Sequence, residues 1–166
     1  MPTSAQLPQI YDQRAAPSAP SLVYISFSMP YTISGVTERY YHGTGLILDT
    51  QRGLVITDRN TVPDSLGDVR LTFGGTIEIP GKIVYIHPLH DLAVIHYDPR
   101  LIGNTPVKAA QLDTTALKPG QTVNVVGLDN DGDVRARTTT IADVSPLELP
   151  LSRTVRFRDS NIDVAS

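Results

Sequence analysis

The stretch "RLTFGGTIEIPGKIVYIHPLHDLAVIHYD", residues 70–98, decides the fold class. With Val69 just ahead of it, Leu71 and Phe73 alternate with polar neighbours, the two-residue period of a half-buried strand. Gly74-Gly75 then supplies the positive φ angles of a tight hairpin. "TIEIPGKIVYI" reads as a long strand broken at Pro80-Gly81, a pair suited to a bulge or a barrel corner. "LAVIHY" is the next strand, with His87, His90 and Asp91 at its entrance.

Upstream, "SLVYISFS" places Val23, Ile25 and Phe27 on one face, and "TGLILD" and "GLVIT" are short apolar runs bounded by glycine and polar residues. Downstream, "QTVNVVGL" and "DVRARTTTIADV" flank the turn-rich "DNDGD", and "RTVRFRDSNIDVAS" supplies one more alternating segment. No window shows sustained 3.6-residue apolar spacing, so an all-β barrel or sandwich is expected. Residues 1–20 carry four prolines and read as an extended or partly disordered arm. Residues 21–98 hold a first group of strands, 99–118 a connector, and 119–166 the opening strands of a second group too small to close a barrel alone.

The chain of 166 residues has a net charge of −3, which gives no electrostatic footprint for nucleic acid or an anionic membrane. It has no cysteine, which excludes disulfides and thiolate zinc sites. No apolar run approaches the roughly 20 residues of a membrane span, and "MPTSAQLPQI" lacks the features of a signal peptide, so a soluble chain is expected.

Several segments match one family in order and spacing: Gly-Thr-Gly-Leu-Ile-Leu-Asp at 43–49, Gly-Leu-Val-Ile-Thr at 53–57, the stretch 70–98, and "LKPGQTVNVVGL" at 117–128. Together they resemble the trypsin-like protease domain of the HtrA/Deg family. "TDRNTVP" with "IPGKIVYIHPLHDLAVI" is similar to the degenerate second protease unit of tandem HtrA proteases of fungi and plants. The resemblance implies a trypsin-like double β-barrel of Greek-key type, with the second barrel incomplete in this chain. It places Asn60 at the catalytic histidine and Asp91 at the catalytic aspartate. The family's nucleophile belongs to a Gly-x-Ser-Gly motif beyond "FRDSNIDVAS", and this sequence contains none.

That substitution has a chemical consequence. Histidine activates a serine hydroxyl because its pKa lies near neutrality, whereas a carboxamide accepts no proton at physiological pH. Removing the histidine of a well-studied triad costs on the order of 10⁶-fold in rate, roughly 8 kcal/mol of barrier. The chain is therefore expected to be no enzyme by itself. It reads as an inactive module for scaffolding, oligomer assembly or substrate positioning, within a larger serine endopeptidase of protein quality control. Two other readings stay open: an active endopeptidase completed by a missing C-terminal segment, and a peptide-binding β-module. Taken alone, Asn60 reads first as an ordinary turn residue, and the flanking strand, Asp91 downstream and the family register reverse that reading.

Other signals are weaker. A His90-Asp91 dyad is disfavoured because neighbours on a strand face opposite ways. His87 and His90 would need a third ligand to hold a metal, while His42 and His96 are single histidines in strand regions. "DNDGD" fails as an EF-type loop, since Val134 and Thr140 stand where glycine and glutamate are required. Arg135 and Arg137 share one strand face, as do Arg156 and Arg158, as solvated outer faces. Tyr24, Phe27, Tyr31, Tyr40 and Tyr41 suit core packing, or the trimer interface that the resemblance implies. No cofactor or metal is expected. The implied partners are further copies, PDZ modules, active protease units and polypeptide substrates, and the fungal likeness implies the nucleus or cytoplasm.

Overall fold

The computed structural model describes residues 13–31, 39–63 and 65–144. Six antiparallel strands close into a barrel: β1 (Leu22–Ser28), β2 (Tyr40–Asp49), β3 (Leu54–Thr57), β4 (Asp68–Phe73), β5 (Ile77–Ile86) and β6 (Ala93–Tyr97). Around the barrel the order is β1-β2-β3-β6-β5-β4, and β4 pairs back with β1. The first three strands form one meander and the last three another. This order sets β3 beside β6, with Thr57 opposite Ala93.

Alternation drives closure. Val23, Ile25, Phe27, Leu71, Phe73, Ile95 and Tyr97 point inward and are almost wholly buried, while Arg70 and His96 on the same strands face water. Each large apolar side chain buried this way contributes about 1.5–3 kcal/mol. Two glycines let the walls approach. A Cβ on Gly45 would lie 2.5 Å from Ile25 Cδ1, and one on Gly81 would lie 2.5 Å from Leu71 Cδ1.

The expected break at Pro80-Gly81 is therefore a correction: β5 runs unbroken through that pair. Gly81 pairs with both Val69 and Tyr97, and its missing side chain makes room in the core. The irregularity lies three residues on, between Ile83 and Tyr85, where Val84 is half exposed.

β7 (Thr122–Leu128) and β8 (Val134–Thr140) form a separate two-stranded ribbon. Val126, Leu128, Val134 and Ala136 turn one face of it toward Leu22 and Leu46 on the outside of the barrel. Residues assigned to an extended arm help to fill this joint. Short 3-10 turns at Gln13–Ala15 and Ala19–Ser21 bury Ala15 and Ala19, and Arg14 donates to Thr138 Oγ1 at 2.7 Å. The connector begins with a 3-10 turn at Pro99–Ile102 capped by Asp98. It then bonds to the turn at Ala19–Ser21 through Lys108 N–H to Pro20 O and to the barrel through Ala110 N–H to Ile47 O. The alternating segment at 153–166, with Arg156 and Arg158, lies outside the described residues.

Candidate functional site

Barrel topology brings Asn60 and Asp91 together. Residues 58–62 leave the end of β3, residues 87–92 lead into β6, and the pairing of those strands puts both segments at the same rim. The first segment is a single tight turn. Asp58 Oδ1 accepts from Thr61 N–H at 2.8 Å, Asp58 Oδ2 accepts from Thr61 Oγ1 at 2.8 Å, and Val62 N–H reaches Asp58 O at 3.3 Å. An aspartate satisfying the free N–H groups of a turn in this way is a capping arrangement. Thr61 is buried, and a Cβ on Gly43 would collide with its hydroxyl, so β2 needs glycine there.

Asp91 grips this turn with both oxygens. Oδ1 accepts from the Arg59 backbone N–H at 2.8 Å, and Oδ2 accepts from Asn60 Nδ2 at 3.4 Å. The second bond is long, but its polarity is fixed, because the carboxamide oxygen facing a carboxylate would repel it. Asn60 is exposed and Asp91 half-buried. The carboxamide thus turns its N–H toward the carboxylate, and its other polar atom is an oxygen with no basicity near neutral pH. The Arg59 guanidinium lies close by. Its NH1 group donates to His87 O at 3.5 Å, while its buried Nε has no partner among the described residues.

His87 and His90 do not join this pair. His87 Nδ1 accepts from the N–H groups of Leu89 (3.1 Å) and His90 (2.9 Å), so it staples its own turn and carries its proton on Nε2. The two imidazoles lie 4.4 Å apart. No side-chain hydrogen bond or ion pair links His90 to Asp91 among the described residues. The ground for discounting that dyad is corrected, however, because both residues lie in the β5–β6 turn and not on a strand. His96 faces solvent on β6. His42 is on β2, with Nε2 3.1 Å from Asn130 Oδ1 and its ring stacked on Tyr24. Among the described residues no three His, Asp or Glu side chains converge as a metal site would require. In "DNDGD", Asp129 Oδ1 accepts from the N–H groups of Asp131 and Asp133, and Arg135 closes on Asp129 Oδ2 at 2.7 Å.

The aromatic cluster divides. Phe27 is in the core with Tyr41 against its edge, whereas Tyr40 is 70% and Tyr31 40% exposed. Asp58, Arg59 and Thr61 were not anticipated as parts of the site, although the Asp-x-x-Thr spacing at 58–61 is a recognisable cap pattern.

Residues 43–164 match the model of the trypsin-like peptidase domain. The chain belongs to that family. A PDZ domain-containing protein of Schizosaccharomyces pombe is 35% identical over 165 residues, 98% of this chain and 17% of the relative. The pro-apoptotic serine protease NMA111 of Pyricularia oryzae is 33% identical over 144 residues, 86% of this chain and 14% of that protein. The chain thus spans less than a fifth of the length of these curated relatives, and the fungal HtrA-type resemblance fits them. Among solved structures, the active form of the Rv3671c protease from M. tuberculosis matches with a TM-score of 0.67 at 20% identity, over 90% of this chain and 63% of that one. The HtrA-type protease AlgW with a tripeptide matches at 0.64 and 15%, over 83% and 41%. The fold is the trypsin-like all-β barrel pair. Among the described residues, β7 and β8 represent its incomplete second barrel. No helix among them is long and apolar enough to cross a membrane.

Proposed function

We propose that this trypsin-like domain is a catalytically silent unit of an HtrA-type serine protease, acting as a scaffold, an assembly surface or a substrate-positioning module within a larger polypeptide. One observation carries this reading. The Asp91 carboxylate accepts from the Asn60 carboxamide at 3.4 Å, and we read position 60 as the one where the reaction needs a base. Asp91 has become a structural clasp for the turn 58–61, and its second oxygen holds a backbone N–H. The sequence also contains no Gly-x-Ser-Gly motif of the kind that carries the family's nucleophile. The solvent-facing rings of Tyr31 and Tyr40 support an assembly role, including association with further copies.

The test is hydrolysis of casein and of a fluorogenic peptide library by the purified chain. The expected rate equals that of buffer and is unchanged by Asp91→Asn. Turnover above buffer that Asp91→Asn abolishes would overturn the reading. A second reading, strand-edge peptide binding, is favoured by the ribbon. β7 and β8 each present one edge that no strand covers among the described residues. Amide shifts confined to one of these edges during titration with an extended peptide would establish it.

A further inference from the structure

A pocket of about 200 Å³ opens where the β4–β5 turn meets the β7–β8 turn. Neither Asn60 nor Asp91 lines it. Its volume is below the roughly 300–1,000 Å³ of sites that enclose whole small molecules, and it suits a single inserted side chain. Leu22 and Leu128 provide apolar wall, and the Tyr24 ring stands beside them. That ring is fixed from two sides: it stacks on His42, and its hydroxyl donates to Asn130 O at 3.3 Å. Gly75 and Gly132 stand at the mouth in turns with φ of 69° and 81°. A Cβ on either would meet nothing, so the entrance is open.

The charge of the pocket is one-sided. The β7–β8 turn carries Asp129, Asp131 and Asp133 against the single guanidinium of Arg135. Arg135 is committed to Asp129 at 2.7 Å and approaches Asp133 at 3.8 Å. The Asp131 carboxylate, which lines the pocket, has no cation or donor among the described residues. Burial, and then the charges of Asp131 and Asp129, push the Tyr24 phenol above its ordinary value, so the negative field is felt inside the pocket.

We propose that this pocket receives one basic side chain, arginine or lysine, from a polypeptide. The methylene stem lies along Leu22 and Leu128, and the cationic head sits at Asp131 beside the Tyr24 ring. A long amphipathic side chain is the natural occupant, because its stem is apolar and its head charged. A cation also gains from the face of an aromatic ring. An anionic or purely apolar group would meet the field of Asp131 or leave its charge unanswered.

The test titrates the full chain, nitrogen-15 labelled, with Nα-acetyl-arginine methylamide, and in parallel with the citrulline analogue, which has the same shape but no charge. The expected result is saturating shifts of the Gly74, Gly75 and Gly132 amides, with a Kd on the order of 1 mM. The citrulline probe, and the arginine probe on Asp131→Asn, are expected to bind about threefold to fivefold more weakly, as for a solvated ion pair. Asp131→Asn keeps the turn, because Asp131 contributes its backbone N–H and not its carboxylate to the Asp129 cap. Equal binding of both probes, indifference to Asp131→Asn, or shifts absent from these three glycines would each overturn the proposal.

Discussion

The barrel and the β7–β8 ribbon are built from similar sequence and end in different physical states. "DVRLTF" and "QTVNVVGL" both alternate, yet Val69, Leu71 and Phe73 are buried, whereas Val125 is 58% exposed. The difference is closure. Every barrel strand has two paired neighbours, so its inward face is enclosed by the closed sheet and its backbone is paired on both sides. The ribbon strands have one strand neighbour each among the described residues, and are held by a small joint around Val134, Leu128, Ala15 and Leu22. Alternation specifies which face is apolar, and topology decides what covers it.

The largest effect that could break this contrast is in the core. Phe73→Ala is expected to lower the global unfolding free energy by about 3–5 kcal/mol. Val134→Ala is expected to cost less than about 2 kcal/mol, counting roughly 0.8 kcal/mol per buried methylene. In hydrogen exchange the first variant should speed the most protected amides of β1 to β6, and the second only those of β7 and β8, through local opening. Equal losses in both regions would remove the distinction.

Next comes the close approach of the barrel walls. Gly81→Ala would place a methyl 2.5 Å from Leu71 Cδ1 and 2.8 Å from Ile95 Cγ2. Overpacking of that kind costs roughly 1–3 kcal/mol, read from the denaturation midpoint. An unchanged midpoint would mean that Gly81 is a strand break after all.

A smaller change runs in the opposite direction. Tyr97 is buried against Phe73, and its hydroxyl has no partner among the described residues. Tyr97→Phe is therefore expected to leave stability unchanged or raise it by about 1 kcal/mol, since it removes an unsatisfied polar group. A clear loss in thermal unfolding would reveal a hidden partner.

The smallest effect is at the surface. Hydrogen bonds from the Arg100 side chain and backbone hold the Asp98 carboxyl down at about 2, against its ordinary 3.8. The folded value is the lower one, so the stabilisation is complete above about pH 4 and fades as pH falls through about 2. Stability curves of the wild type and Asp98→Asn should differ above that window and converge below it. A constant gap would contradict the assignment.

Much of the barrel was legible because burial follows period two, and the hairpin at Gly74-Gly75 because both glycines carry positive φ. The role of Gly81 was not legible. Its neighbours Leu71 and Ile95 are distant in sequence and meet only when the barrel closes. The burial of Ala15 and Ala19 was hidden likewise, since proline-rich segments with little periodicity look alike whether or not a ribbon packs on them. At the rim, Asn60 and Asp91 could be paired only through the family register. The use of His87 Nδ1 as a turn staple depends on backbone geometry that no spacing reveals.

The most direct measurement is the proton titration of the imidazole introduced by Asn60→His, followed by NMR in the full chain. A pKa raised above the ordinary value of about 6.5, and returned to it when Asp91→Asn is added, is the expected result. An ordinary value in both backgrounds would show that the carboxylate does not address position 60, and the carboxamide there would then be a turn residue with no catalytic ancestry.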